Sequence, residues 1–311
     1  MVDAKMDEAQ ECPITFEELQ DLEHEFEEAE NEIMRQQIAL TKSLYEKRAK
    51  TIAQIPNFWP LVLEQAPQEI DQYIQPTDSQ VLSDHLTNIS VEHFEVDKDP
   101  RSMILKFEFS DNEYFEDKVL EKKFWHRQAS GGWAGLVSEP VAIKWKDGKD
   151  LTGGLLDLVV KVWKEEKNDP KASKDSTPKK EADYTALEKQ LKEKIENTGM
   201  GGASFFSFFG YRGFHITPEE SVAAIKKADT ERKERAAGKK TDDEEEEDED
   251  DDEEDPLALE IFADGDELAV AIAEDLYPSA IKYYIQAQEM DGLSELDFEE
   301  MDEDEDDEDD E

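Results

Sequence analysis

The chain has 311 residues, of which 83 are acidic and 35 are basic, so its formal charge is −48. So large a negative charge argues against nucleic acid as a direct partner, and it indicates either a basic partner or acidic segments that remain in solvent. The single cysteine, Cys12, excludes an intrachain disulfide, and the absence of an apolar signal segment or a long uncharged apolar run predicts a soluble protein in a reducing compartment.

The first long element is an amphipathic helix, predicted between Thr15 and Pro56. Thr15 and Glu18 have the spacing of a capping box, and Pro56 is expected to end the helix. Such a helix would be about 60 Å long, which favours a second copy of the same helix as its partner over packing on its own domain, the alternative. Its apolar stripe gives the predicted dimer interface: Leu19, Leu22, Phe26, Ile33, Leu40 and Leu44.

A globular domain follows, and its sequence pattern changes from helical to alternating. Two prolines and two aromatic residues at 56–60 predict a stiff corner. Short helices are then predicted at 60–66, 67–74 and 78–87, and four antiparallel strands at 88–96, 103–109, 119–127 and 141–146. The glycine-rich residues 130–135 are interpreted as a hairpin loop, and the fold class is α+β.

The second half of the chain mixes helices with low-complexity segments. Helices are predicted at 155–163, 182–197, 257–276 and 278–285, with a linker at 164–180 and a glycine hinge at 199–202. The four phenylalanines at 204–209 are expected either to be buried or to cover a partner. Another helix begins at Thr217, with Pro218 at its first position, and runs into a set of basic residues: Lys226, Lys227, Arg232, Lys233, Arg235, Lys239 and Lys240. The basic run is interpreted either as a nuclear import signal or as a counterweight to the acidic run that follows.

Two acidic runs hold much of the charge. Residues 242–255 are acidic at all fourteen positions and residues 299–311 at twelve of thirteen, and the rest of the chain still carries −22. The folded part must therefore have an acidic surface of its own. The runs themselves are expected to be disordered, and a purely solubilising role is the alternative to a role in binding.

Several motifs together resemble the nucleosome assembly protein family, in particular its SET or template-activating-factor branch. They are Ile52 to Trp59, Asn112 to Leu120, Ile143 to Thr152, Ser204 to Phe206, and Tyr283-Tyr284 before an acidic tail. The resemblance covers about residues 15–290 and departs in an expanded segment at 153–202 and an insertion at 212–255.

The resemblance implies a fold and a domain organisation. It implies a headphone-shaped homodimer with a flexible N-terminus (1–14), a dimerisation helix (15–56), an earmuff domain (57–290) and a disordered acidic tail (291–311). The earmuff contains a four-stranded antiparallel sheet and two insertions, at 164–202 and 212–255. Core histones would bind its acidic underside, where the matched positions are Asp266, Glu267, Ser207 and Gly210.

The favoured function is that of a nuclear histone chaperone, with the cytoplasm as a second compartment, which promotes nucleosome assembly or chromatin remodelling without a cofactor. The alternative is an inhibitor or adaptor that masks histones from acetyltransferases or inhibits a serine/threonine phosphatase. An enzyme is disfavoured, because the five histidines lack metal-ligand spacing and no nucleophile motif is present. The preferred histone pair, and deposition as against eviction, are left open by the sequence.

Overall fold

The computed structural model describes residues 14–168, 180–198, 203–237, 255 and 257–290. The N-terminal segment 1–13, the predicted glycine hinge, nearly all of the first acidic run and the whole tail from residue 291 lie outside these described residues. The predictions made for those segments remain expectations.

Helix α1 (Phe16–Ile52) is a single rod of 37 residues. Thr15 caps it through a reciprocal capping box, in which the Glu18 N–H donates to Thr15 Oγ1 and the Thr15 N–H donates to a Glu18 carboxylate oxygen. At 1.5 Å per residue the rod is about 55 Å long. The long helix and its cap are therefore confirmed, although it ends at Ile52, four residues before the proline.

Three short helices connect α1 to the sheet: α2 (Phe58–Glu64), α3 (Gln68–Asp71) and α4 (Pro76–His85). The chain turns into α2 at Asn57, which has a left-handed conformation with φ of 54°. Trp59 then donates a hydrogen bond of 2.9 Å from its indole N–H to the Asn88 side chain, which fixes α2 on the first strand.

The sheet has four antiparallel strands in the order β1-β2-β3-β4. They are β1 (Leu86–His93), β2 (Met103–Phe109), β3 (Val119–Gln128) and β4 (Ala134–Ser138). The four-stranded meander is confirmed, but the prediction for the fourth strand at 141–146 is wrong, as is the assignment of residues 134 and 135 to a loop.

The error at the fourth strand has a physical cause. Gly132, with φ of 85°, makes a tight turn after β3, so the chain begins its return strand sooner than predicted. The alternating side chains Ile143 and Trp145 do pack on the core, but their backbone makes only one isolated bridge, between Trp145 and Phe115. The alternating pattern at 141–146 therefore indicates an extended segment with one buried side, and this segment is not a strand of the sheet.

The remaining helices are α5 (Leu155–Asn168), α6 (Ala186–Thr198), α7 (Pro218–Ala236) and α8 (Gly265–Ala271), and residues 280–290 are also helical. Helix α5 extends five residues into the predicted linker. The helix predicted at 257–276 is partly wrong, because residues 257–264 are not helical; α8 begins at Gly265 and continues as a π-helical turn over Ile272–Leu276.

The main core lies between one face of the sheet, the short helix Phe205–Gly210 and α8. All four phenylalanines of that short helix are buried and pack on one another and on sheet residues such as Phe107 and Phe124, which is the first of the two alternatives expected from the sequence. A smaller second core joins α5 to α6.

Helix α7 connects the sheet to the N-terminal half of α1. Ser221 accepts a hydrogen bond from the Gln128 N–H at the end of β3. Farther along, Arg232 and Arg235 form ion pairs with Asp21 of α1, the closer at 2.6 Å. Two members of the predicted basic run therefore balance an acidic residue of the chain itself.

Candidate functional site

The predicted acidic pair lies in the first turn of α8, because this helix begins at Gly265 and not at 257. Asp266 is half-buried and Glu267 is exposed. Asp264 occupies the N-cap position, but its side chain makes no capping hydrogen bond, and instead accepts one of 2.9 Å from the Tyr73 hydroxyl. The N-cap carboxylate of α8 therefore makes no hydrogen bond to the backbone of the helix's first turn.

Close packing against Tyr211 fixes the position of α8. A Cβ atom added to Gly265 would lie 2.4 Å from the Tyr211 ring, so only glycine allows this approach. The Tyr211 hydroxyl in turn donates a hydrogen bond of 3.0 Å to the carbonyl of Leu136 in β4. Burial raises the pKa of Tyr211, and the charges of Asp266 and Glu260 raise it further, so it remains a hydroxyl donor.

Beneath Tyr211 lies a buried polar network built on Lys122 and Glu260. The Lys122 ammonium donates to the carbonyls of Glu139, Phe209 and Tyr211, at 2.7, 3.1 and 2.6 Å. The Glu260 carboxylate accepts from backbone N–H groups, including those of residues 212 and 213. Burial lowers the pKa of Lys122 and raises that of Glu260, while each opposes the shift of the other. The network holds the loop that supports α8.

Across from α8 runs the inner face of α1, and a cavity of 1230 Å³ lies between them. We call this cavity the acidic groove. Apart from Glu92 of β1, its carboxylates are Glu46 of α1, Glu69 of α3, and Asp266, Glu267 and Glu274 of α8 and the turn after it.

These five groove carboxylates lack a cationic partner inside the described part of the chain. None of them lies within 4 Å of a described Lys, Arg or His nitrogen, whereas Glu92, which also lines the groove, is paired with Lys106 at 3.2 Å. Among the basic residues that line it, Arg101 is bound to Asp99 at 2.8 Å, and Lys42 of α1 has no carboxylate within 4 Å in the described chain, so carboxylates outnumber cations in the groove. The groove therefore offers negative charge to a partner.

The carboxylates of the groove shift the pKa of neighbouring groups. Burial raises the pKa of Tyr73 to about 12, and Asp264, Glu267 and Asp266 all act in the same direction. His93 lies at the sheet side of the groove and contacts the Pro100 carbonyl at 2.7 Å; burial lowers its pKa, and the charge of Glu274 acts in the opposite direction.

The outer face of α1 carries the predicted dimer stripe. All six predicted side chains are exposed by 50–76% in the single chain: Leu19, Leu22, Phe26, Ile33, Leu40 and Leu44. The inner face instead contacts the domain, where Tyr45 packs on Tyr277 with ring centroids 5.0 Å apart and Arg48 donates to the carbonyl of Tyr277. The two faces of the rod are thus distinct.

The other two residues predicted for binding lie inside the protein. Ser207 is fully buried among the phenylalanines, and its hydroxyl has no hydrogen-bond partner among the described residues. Gly210 is also buried, and a Cβ atom there would lie 2.5 Å from the Ile261 side chain. Neither residue presents a surface to a partner, so both are left out of the binding surface considered below.

Within the described ranges, no group of three or more His, Cys, Asp or Glu side chains is placed to bind a metal ion. None of the helices there combines the length and the apolar character needed to cross a membrane.

Comparison with known proteins gives one family. The model of the nucleosome assembly protein (NAP) family matches residues 14–287. A putative nucleosome assembly protein of Schizosaccharomyces pombe is 42% identical over 147 residues, which are 44% of this chain and 59% of that protein. Protein SET of Drosophila melanogaster is 37% identical over 121 residues, or 38% of this chain and 43% of that one. The matched stretch thus spans less than two thirds of either relative.

Solved structures match over a greater length. The crystal structure of Ccp1 has a TM-score of 0.50 at 28% identity, and covers 88% of this chain and 95% of its own. The crystal structure of Vps75 has a TM-score of 0.51 at 22% identity, with 88% and 98% covered, and shows the shared fold.

Proposed function

The chain belongs to the nucleosome assembly protein family, and from that premise we propose that it is a histone chaperone, which binds basic core histones and promotes nucleosome assembly or chromatin remodelling in the nucleus. The observation that carries the proposal is the acidic groove, where five carboxylates without a cationic partner in the described chain converge on one cavity. Binding of this kind needs neither a cofactor nor a catalytic group.

A histone chaperone has to screen the charge of the histones. Core histones are strongly basic, and DNA phosphates compete for the same lysines and arginines that a chaperone occupies. An acidic surface can hold them until DNA displaces it, and its affinity must fall as salt rises. The acidic runs outside the described residues would raise the local histone concentration, while the folded groove supplies geometry.

We further propose that the active form is a homodimer joined through the outer face of α1. Six large apolar side chains on one stripe are exposed in the single chain, and burying each would gain about 1.5–3 kcal/mol relative to full exposure. The double variant Phe26→Glu/Ile33→Glu places charges in that seam, so we expect monomers at micromolar concentration by light scattering. Gln20→Glu/Ala39→Glu, which changes exposed residues of α1 outside the stripe, is the matched control and should remain dimeric. A monomeric wild-type protein would contradict the dimer.

The test of histone binding reverses the charge of the pair on α8. We expect Asp266→Lys/Glu267→Lys to weaken histone binding by at least about tenfold and to reduce its dependence on salt, in a protein that remains folded. The matched control is Glu193→Lys/Glu196→Lys, which makes the same change in net charge at exposed positions of α6 outside the groove.

Each outcome of this comparison has a definite meaning. A loss confined to the α8 variant supports the groove as the histone site. Equal losses in the two variants would mean that net charge alone governs binding. Unchanged binding with a lower melting temperature in the α8 variant would leave the pair with a structural role at the start of the helix, worth about 0.5–2 kcal/mol.

A further inference from the structure

The acidic groove has an apolar floor, which the recognition of charge alone would not require. Between its carboxylates lie apolar and aromatic side chains from the rod, the sheet and α8. They include Ile38, Val91 and Val270, which are partly exposed, and the edges of the buried core residues Met103, Leu136 and Tyr277. Val270 is 37% exposed although it is apolar and follows the acidic pair on the same helix. A purely polybasic, flexible partner would gain nothing from this surface.

The dimensions of the groove suit a peptide segment. Its wall on α1 runs from Met34 to Ala49, which corresponds to about 22 Å of helix. Its volume of 1230 Å³ exceeds the roughly 300–1,000 Å³ of a small-molecule site. A helix of about four turns has the same length as this wall.

The charges stand on both walls of the groove. Glu46 projects from the α1 side, and Glu267 and Glu274 are exposed on the side of α8. An occupant that matches this arrangement needs an apolar stripe toward the floor and cations along both flanks. That is the pattern of a basic amphipathic helix, which places apolar residues at i, i+3, i+4 and i+7.

Backbone chemistry favours the helical form over an extended one. A helix pairs its own N–H and C=O groups, so it can lie on an apolar floor without loss of hydrogen bonds. An extended segment in the same place would need partners for those groups, because burying an N–H or C=O group without a partner is unfavourable.

We propose that the acidic groove binds a basic amphipathic helix of the partner, laid along the inner face of α1 with its apolar stripe on the floor and its lysines and arginines toward the carboxylates. This inference rests on the proposed function, because it names the part of a basic partner that the same site recognises. It assigns a specificity role to Ile38 and Val270, which carry no charge.

The experiment uses the full chain and three synthetic peptides of about 16 residues with the same number of lysines. The first has leucines in the i, i+3, i+4, i+7 register, the second has the same residues scrambled, and the third has serine in place of every leucine. Binding is measured by fluorescence anisotropy at low and moderate salt, and helix formation by circular dichroism. We expect the first peptide to bind about tenfold or more tightly than either of the others, and to become helical when bound.

Protein variants locate the effect in the groove. Ile38→Ser/Val270→Ser removes apolar surface from the floor and leaves every carboxylate in place. Its matched control, Val222→Ser/Ile225→Ser, removes similar exposed apolar side chains from α7, which does not line the groove. We expect the preference for the first peptide to fall to about threefold or less in the groove variant and to persist in the control.

Two results would overturn the inference. Equal affinity of the wild-type chain for the three peptides would mean that recognition is electrostatic only. A preference that survives in Ile38→Ser/Val270→Ser would place the amphipathic segment elsewhere. In both cases a loss of histone binding by Asp266→Lys/Glu267→Lys would still support the proposed function, so the two failures are distinguishable.

Discussion

Lys122→Met tests the polar network beneath the groove. Lys122 is fully buried, and all three of its N–H bonds are donated to carbonyls of two segments, one around Glu139 and one at residues 209–211. Methionine has a similar volume but donates none of these bonds, and it also removes one of the two positive charges, with Arg212, that act on Glu260. Removing one partner of a buried charge network costs about 3–5 kcal/mol, which is a large part of the roughly 5–15 kcal/mol that stabilises a typical domain.

The expected loss can be measured by urea denaturation followed by tryptophan fluorescence. The midpoint should fall with little change in the slope, since the surface exposed on unfolding is nearly the same. Lys123→Met is the control, because the adjacent side chain is exposed and makes only a 3.5 Å ion pair with Glu121; its effect should be within about 0.5 kcal/mol. A Lys122→Met protein within about 1 kcal/mol of wild type would refute the view that the ammonium organises this loop.

Three further predictions follow from individual contacts and from composition. Gly265→Ala sets a methyl group against the ring of Tyr211, so the unfolding free energy should fall by about 1–3 kcal/mol, whereas Gly131→Ala, where an added Cβ meets nothing within 4 Å, should be nearly neutral in the same urea assay. Burial acts to raise the pKa of Asp99, but hydrogen bonds from His126 and a neighbouring arginine lower it overall. This lowered pKa stabilises the folded protein at pH values above the unfolded pKa of about 3.9, and that stability is lost as the pH falls through the lower folded pKa. The Asp99→Asn variant should therefore show a weaker dependence of stability on pH below about 4, as followed by circular dichroism. Deleting both acidic runs should leave the thermal transition nearly unchanged and weaken histone binding with a smaller salt slope, and a large fall in melting temperature would show that the runs belong to the fold.

The helices and the first three strands could be predicted because their signals are local. The capping box at Thr15 and the stripe that includes Phe26 specify a helix from residues a few positions apart. The strand predicted at 103–109 agrees with β2 at both ends. The fourth strand was missed because pairing depends on where the chain turns, and Gly132 turns it before the alternating segment is reached.

The depth of individual polar residues was harder to predict. Ser207 lies in a run of phenylalanines whose burial was foreseen, but a hydroxyl gives no local sign of which side it faces. Lys122 did carry a signal, because it alternates with Leu120 and Phe124, and all three point into the core from β3. A lysine at an inward strand position can be read as a candidate for a buried, fully bonded ammonium.

The acidic pair was placed by resemblance, whereas the groove around it was not predicted at all. The groove joins Ile38 to Val270, which are far apart in the sequence, so no local pattern connects its two walls. The two faces of the rod have different roles, because the exposed stripe with Phe26 and Ile33 points away from the domain, and Tyr45 and its neighbours face it.

In the proposed dimer the second copy would therefore cover the outer face of α1 and leave both grooves open, so that two basic segments can bind to one dimer. A bivalent partner held at two grooves gains an effective concentration that neither groove provides alone. It follows that variants of the outer stripe should weaken the binding of a histone with two basic segments while leaving the affinity for a single peptide unchanged.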